Sequence, residues 1–169
     1  MFVFDATPLI YLSKAEQLTV LEELDRERIV PEAVYEEVVV NGIRGGYPDA
    51  RRVERAIEDG VFGVRAAPDN ATAERLRGNP NIGPADVAVL ALADHLDGTA
   101  VMDEDYGRAV ADSEGIETRG TAFVLLTLLK RGLLDTRETR ETIDAMVEAG
   151  WYCSPDLYAK ILGKIESLS

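Results

Sequence analysis

Histidine and cysteine each occur once, as His95 and Cys153, in a chain of 169 residues. A single cysteine forms no internal disulfide, and one histidine beside it supplies no set of nitrogen and sulfur ligands of the kind zinc sites use. Any metal held by this chain must therefore be held by oxygen. Lysine is scarce too: Lys14, Lys130, Lys160 and Lys164 are the only four, against fourteen arginines. The 18 basic residues face 31 acidic ones, a formal charge of -13, which excludes a surface built throughout to attract phosphates. No apolar run approaches the roughly 20 residues that span a bilayer. The longest lie near Val87 to Ala93 and Ala122 to Leu129, and Met1 leads directly into strand-like sequence without a targeting pattern. A soluble, cytoplasmic protein is the expectation. Acids dispersed along the chain repel one another in dilute buffer, a cost that concentrated salt removes by shortening the screening length to about 3 Å at 1 M. The charge thus fits a salt-adapted (halophilic) source as well as an ordinary acidic cytosolic protein.

What is present is a steady alternation. With 46% hydrophobic residues, the length suits one domain over 1–169, with a core over about 1–130 and a C-terminal helical extension over about 133–169. Short apolar runs at Met1 to Phe4, Arg28 to Val30, Val61 to Arg65, Thr99 to Met102 and Ile116 to Thr118 read as strands. Between them, helical periodicity covers Pro8 to Ala15, Leu18 to Leu24, Glu32 to Val40, Asp49 to Asp59, Pro84 to Leu96, Tyr106 to Ser113 and Thr121 to Lys130. Two further helical patterns, Thr136 to Ala149 and Pro155 to Leu168, follow Gly132. Such alternation implies an α/β fold with a parallel sheet covered on both faces. Gly42 to Pro48 and Arg75 to Asn81 read as the two mobile segments.

Two of the strands run into carboxylates: Met1 to Phe4 into Asp5, and Thr99 to Met102 into Asp103-Glu104-Asp105. Carboxyl ends of parallel strands are where open α/β sheets bind ligands. Taken alone, Asp5-Ala6-Thr7-Pro8 also reads as a plain helix start, with Thr7 as N-cap and Pro8 at the first helical position. Asp86 is less ordinary, because Ala85 to Ala93 is apolar on every face except for this one acid. It is either a first-turn acid after Gly83-Pro84 or a group that needs a cation, since an unpaired buried carboxylate costs several kcal/mol. Glu36 and Glu37 flank the apolar arc of Val34, Tyr35, Val38 and Val39, and spacing does not choose between them. Several carboxylates in one pocket stay ionised only beside a divalent cation, which could activate water and polarise a phosphoryl oxygen. His95 stands at the far end of its helix, away from these acids, and Cys153 beside Trp151 reads as packing.

In order and spacing, DATPLIYL from Asp5, VPEAVYEEVVV from Val30, GPADVAVLALA from Gly83, VMDEDYGRAVA from Val101 and GTAFVLL from Gly120 resemble the PIN-domain family. The chain is most similar to the prokaryotic branch that includes VapC-type toxin ribonucleases, over about residues 1–130. The resemblance implies a five-stranded parallel sheet in a three-layer α/β/α sandwich, and a nuclease that binds Mg²⁺ or Mn²⁺ and hydrolyses RNA. Residue by residue it implies Asp5 as the first acid, Glu37 as the helical glutamate, Asp86 as the acid of the small-residue helix, and Thr7 as supporting hydroxyl. Asp103 is the first choice for the fourth acid, with Asp105 as the alternative metal ligand. Two positions depart from the pattern: Pro84 replaces an acid, and Asp86 is shorter than the glutamate often found there. The four catalytic acids are expected to converge in one pocket. RNA would be held by local arginines such as Arg44, Arg51, Arg52, Arg75, Arg77 and Arg108. The resemblance, together with Leu133, Leu134, Met146, Trp151, Tyr152 and Tyr158 in the C-terminal helices, also implies a homodimer and a small antitoxin protein as partners.

Three other functions compete. A signalling receiver would need adjacent acids after the first strand and a lysine after the fifth, where this chain has Ala6 and Arg119-Gly120. A haloacid-type phosphatase would need a second aspartate where Thr7 stands. A catalytically inactive PIN-fold protein, serving as an RNA-binding or assembly module, would keep the fold and lack metal-dependent cleavage.

Overall fold

Five short strands, β1 (Phe2–Phe4), β2 (Arg28–Pro31), β3 (Gly63–Arg65), β4 (Thr99–Val101) and β5 (Glu117–Arg119), form one parallel sheet in the order β3-β2-β1-β4-β5. The structure is a computed structural model and describes residues 1–169. The two strands at the centre, β1 and β4, are buried along their whole length, which is why they read as unbroken apolar runs. Of the edge strands, β3 is exposed and β5 half-buried, and they carry the charged residues Arg65, Glu117 and Arg119. The chain moves outward from β1 through β2 to β3, then crosses back to place β4 on the other side of β1. This reversal puts the carboxyl ends of β1 and β4 side by side, in register Phe2 to Thr99, Val3 to Ala100 and Phe4 to Val101.

Helices cover both faces of the sheet, giving a three-layer α/β/α sandwich. They are α1 (Ala6–Lys14), α2 (Glu32–Tyr35), α3 (Asn41–Arg44), α4 (Pro48–Glu58), α5 (Ala71–Arg77), α6 (Pro84–His95), α7 (Asp105–Ser113), α8 (Thr121–Lys130), α9 (Thr136–Glu148) and α10 (Pro155–Leu168). A 3₁₀ turn occupies Thr19–Glu23. The sheet and α6 share a hydrophobic core that also takes in Leu134, Ile143, Met146, Trp151, Ile161 and Ile165 from the C-terminal segment. Most of the apolar surplus read in that segment is therefore spent on the chain's own interior.

Four local expectations are corrected. Helix α1 starts two residues before Pro8, with Asp5 as its N-cap in place of Thr7. Pro8 is accommodated because N–H groups of the first turn have no intrahelical acceptor to lose. Residues Glu36–Val40 form a π-helical turn between α2 and α3, so the helical path continues to Arg44 where a mobile loop was expected. Gly42 lies against α4, where a Cβ would stand only 2.7 Å from the Cβ of Ala50. Arg75 and Arg77 belong to helix α5, capped by Asn70, whose side chain accepts from the Ala73 N–H at 2.9 Å.

Candidate active site

Asp5 follows β1 directly. Its N–H donates to the Val101 carbonyl at 3.0 Å, extending the β1–β4 ladder by one residue and fixing the carboxylate at the strand ends. The side chain is only 8% exposed. One carboxylate oxygen accepts from the Ala6 N–H at 2.8 Å, so the acid both caps α1 and faces the crevice. Burial pushes its pKa from 3.8 up to about 7; the negative charge of Asp86, then of Glu37 and Asp103, adds to the rise, and the Ala6 N–H opposes it.

Glu37 and Asp86 line the same cleft of about 450 Å³, together with Thr7, Glu36, Asn41 and Glu104. Asp86 is the third residue of α6, after Gly83 as N-cap and Pro84 at the first position, so it is a first-turn acid and a cleft acid at once. Burial raises its pKa, while a hydrogen bond from the Gly83 backbone pulls it down. Glu37 is raised by burial and then by Asp86. The π-turn carries both Glu36 and Glu37, and both reach the cleft with Ala33 before them and Asn41 after. A π-turn widens the local helix and is often found at functional sites.

Asp103 is placed differently. One oxygen accepts from the Thr121 N–H at 2.8 Å, and the other accepts from the Thr121 hydroxyl at 2.7 Å and the Trp151 indole at 3.1 Å. It ties the end of β4 to the start of α8 and to the segment before α10. Gly120 permits this approach, since a Cβ there would lie 2.9 Å from the Asp103 carboxylate. Asp103 and Asp105 line a neighbouring, larger cleft of about 1000 Å³, whereas Glu104 and Thr7 line both. The structure thus brings Asp5, Glu37 and Asp86 to one cleft and turns Asp103 toward the next. Glu104 and Asn41 are the cleft residues that sequence reasoning missed. Glu104 sits inside the acidic triplet, where only the exact end of the strand decides which acid faces which side.

The arginines are dispersed. Arg75 is paired with Glu114 at 2.8 Å and Arg77 with Asp69, although both side chains remain exposed at the surface. Arg51 pairs with Glu54 at 3.2 Å, and Arg52 reaches Glu16 at 3.8 Å and the Ser13 carbonyl at 3.2 Å. Arg44 is exposed on α3, and Arg108 lines the larger cleft. His95 is exposed at the C-terminal end of α6, far along the helix from Asp86. Cys153 is half-buried and its thiol faces the Ser154 carbonyl at 3.7 Å.

The donor set of the smaller cleft consists of carboxylates, one amide and one hydroxyl, which suits a hard divalent cation and no soft one. As the side chains stand, no group of three or more acids, histidines or cysteines is arranged to hold a metal ion. The raised pKa of Asp5 supplies the physical reason for a fit all the same: buried, mutually repelling carboxylates are what a cation stabilises in the ionised state.

No curated protein matches this chain. Among solved structures, a domain of a functionally unknown protein from Methanocaldococcus jannaschii is 19% identical, over 70% of this chain and 89% of that one, with a TM-score of 0.47. A family model described as PIN domain matches residues 1–167, from β1 through α10, and on that match the chain belongs to the PIN-domain family.

Proposed function

We propose that the protein is a ribonuclease that uses Mg²⁺ or Mn²⁺ held at the smaller cleft by Asp5 and Asp86, with Glu37 beside them. The observation that carries this reading is the buried Asp5 at the crossover point of the sheet, its proton affinity raised by burial and by the acids around it. Membership of a family whose fold is of the nuclease type supports it. A divalent cation bound there supplies water activation and charge neutralisation at a phosphodiester. Asp5 is held rigid by the strand ladder and by the Ala6 N–H. Asp86 is positioned by the helix start, and Thr7 offers a hydroxyl at the boundary of the two clefts. Asp103, which is engaged by Thr121 and Trp151, acts as a positioning residue that holds the strand end and the C-terminal segment together.

The purified protein is expected to cleave a pool of single-stranded RNA with Mn²⁺ or Mg²⁺ and to stop in EDTA. Absence of cleavage under every metal condition would favour the second reading, an inactive binding or assembly module. That reading draws on the ion-paired state of Arg75 and Arg77, which leaves few free cations for RNA. A toxin role, with self-pairing and a small antitoxin partner, extends the nuclease reading and rests on the sequence resemblance. Light scattering at micromolar concentration in high salt tests the self-pairing: a dimer mass supports it, a monomer mass removes it.

A further inference from the structure

The larger cleft is built from different material than its neighbour. Of the eight exposed large hydrophobic side chains in the chain, Tyr106, Phe123, Tyr152 and Leu157 all line it. Tyr152 is 84% exposed, an arrangement that costs hydration and does nothing for the core. Arg119 lies over the Phe123 ring, its guanidinium carbon 5.0 Å from the ring centre, and is also paired with Glu117. Arg108 lines the same wall, is half-buried, and its guanidinium makes no ion pair or hydrogen bond within the chain; one of its terminal nitrogens lies beside Gly120. Thr7 and Glu104 belong to both clefts, so the aromatic one adjoins the acidic one.

Flat aromatic faces beside an unpartnered guanidinium suit bases and phosphates of an unpaired strand. A duplex presents no free base faces to such a wall, and a purely apolar peptide would leave Arg108 unpaired. The carboxylates of Asp103, Glu104 and Asp105 also line this cleft, so stacking, and not net charge, must supply most of the attraction. We propose that this cleft is a base-stacking subsite for single-stranded RNA, in which Tyr152, Tyr106 and Phe123 receive bases next to the phosphodiester presented at the acidic cleft and Arg108 meets a phosphate. The identity of the ligand rests on the nuclease reading; the stacking wall itself does not.

The test measures binding apart from cleavage. A labelled single-stranded RNA octamer is titrated into the full chain in EDTA and followed by fluorescence polarisation. Emission of Trp151, the lone tryptophan, which lines this cleft, gives a second readout. Tyr152→Ala and Arg108→Gln are each expected to weaken binding about tenfold, and Tyr152→Phe to stay within about twofold of the parent. Because Tyr152 lies outside the core, its loss leaves the fold in place, which circular dichroism checks. Weaker binding of the same sequence as a duplex supports the stacking wall. Tyr152-dependent binding by a protein that cleaves nothing with Mn²⁺ would overturn the nuclease reading and leave the subsite standing. Cleavage by the parent with RNA binding indifferent to Tyr152→Ala and Arg108→Gln would overturn the subsite and leave the nuclease standing. The same indifference in a protein that captures a small partner protein through this cleft would assign the surface to that partner and overturn the proposal as well.

Discussion

Asp5 carries a conflict that a single side chain cannot resolve: it sits where the strand ladder fixes it, and there its charge is disfavoured. Since its folded-state pKa is raised, the folded chain holds the proton more tightly than the unfolded one. Stability of the metal-free protein therefore falls as pH climbs from 3.8 toward about 7 and levels off above that. The full span corresponds to at most ~4 kcal/mol. Glu37 and Asp86 are raised too and act in the same direction, while Asp25 and Glu114, held down by Arg131 and Arg75, act only at more acid pH. Melting curves in EDTA should show a higher transition at pH 5 than at pH 8, and Asp5→Asn should flatten the difference. A parent protein whose melting temperature rises between pH 5 and pH 8 would contradict the burial of an unneutralised acid. Asp5 and Asp86 were legible in the sequence because an acid ending an apolar strand, or alone in an apolar helix, needs a reason to be there. The choice between Glu36 and Glu37 was not legible, because the π-turn carries both to the cleft and leaves no trace in a 3.6-residue period.

At the level of elements, the five strands and the helices of strong periodicity could be read from apolar runs and turn residues, whereas the order of the strands in the sheet could not. Helices α8 and α10 have the ends that their sequence patterns imply. What escaped was set by local capping and by contacts distant in sequence. Helix α5 is short, and the Gly78-Asn79-Pro80 turn after it masked the Asn70 cap before it. The role of Asp103 depends on Trp151, 48 residues away, so no local pattern announces it. Since Asp103 satisfies the Thr121 N–H and hydroxyl and the Trp151 indole, Asp103→Ala should destabilise the fold by about 2 kcal/mol. Asp103→Asn, which keeps one acceptor oxygen, should cost less. Denaturant unfolding of both variants checks this, and an Asp103→Ala protein as stable as its parent would show that the network contributes nothing.

For the whole molecule, a formal charge of -13 is the dominant fact. Several arginines are already matched with acids on the surface, so the excess negative charge is left to repel itself. Raising sodium chloride from about 0.1 M to 1 M shortens the screening length from about 10 Å to 3 Å. The melting temperature in EDTA is expected to rise with it, and a flat or falling trend would argue against net repulsion as a cost to the fold. The C-terminal helices read from their patterns as an extension on the same core, which their buried residues join, while their apolar surplus also read as a pairing surface. The most direct test of the central claim is to measure RNA cleavage with Mn²⁺ and thermal melting in EDTA on the same Asp86→Asn sample, at fixed high salt. Removing one of several crowded like charges predicts lost cleavage with unchanged or higher stability. If Asp86 only complements the helix dipole, the variant would lose roughly 0.3 to 1 kcal/mol and cleave as before, and that result would contradict the metal site and the nuclease reading built on it.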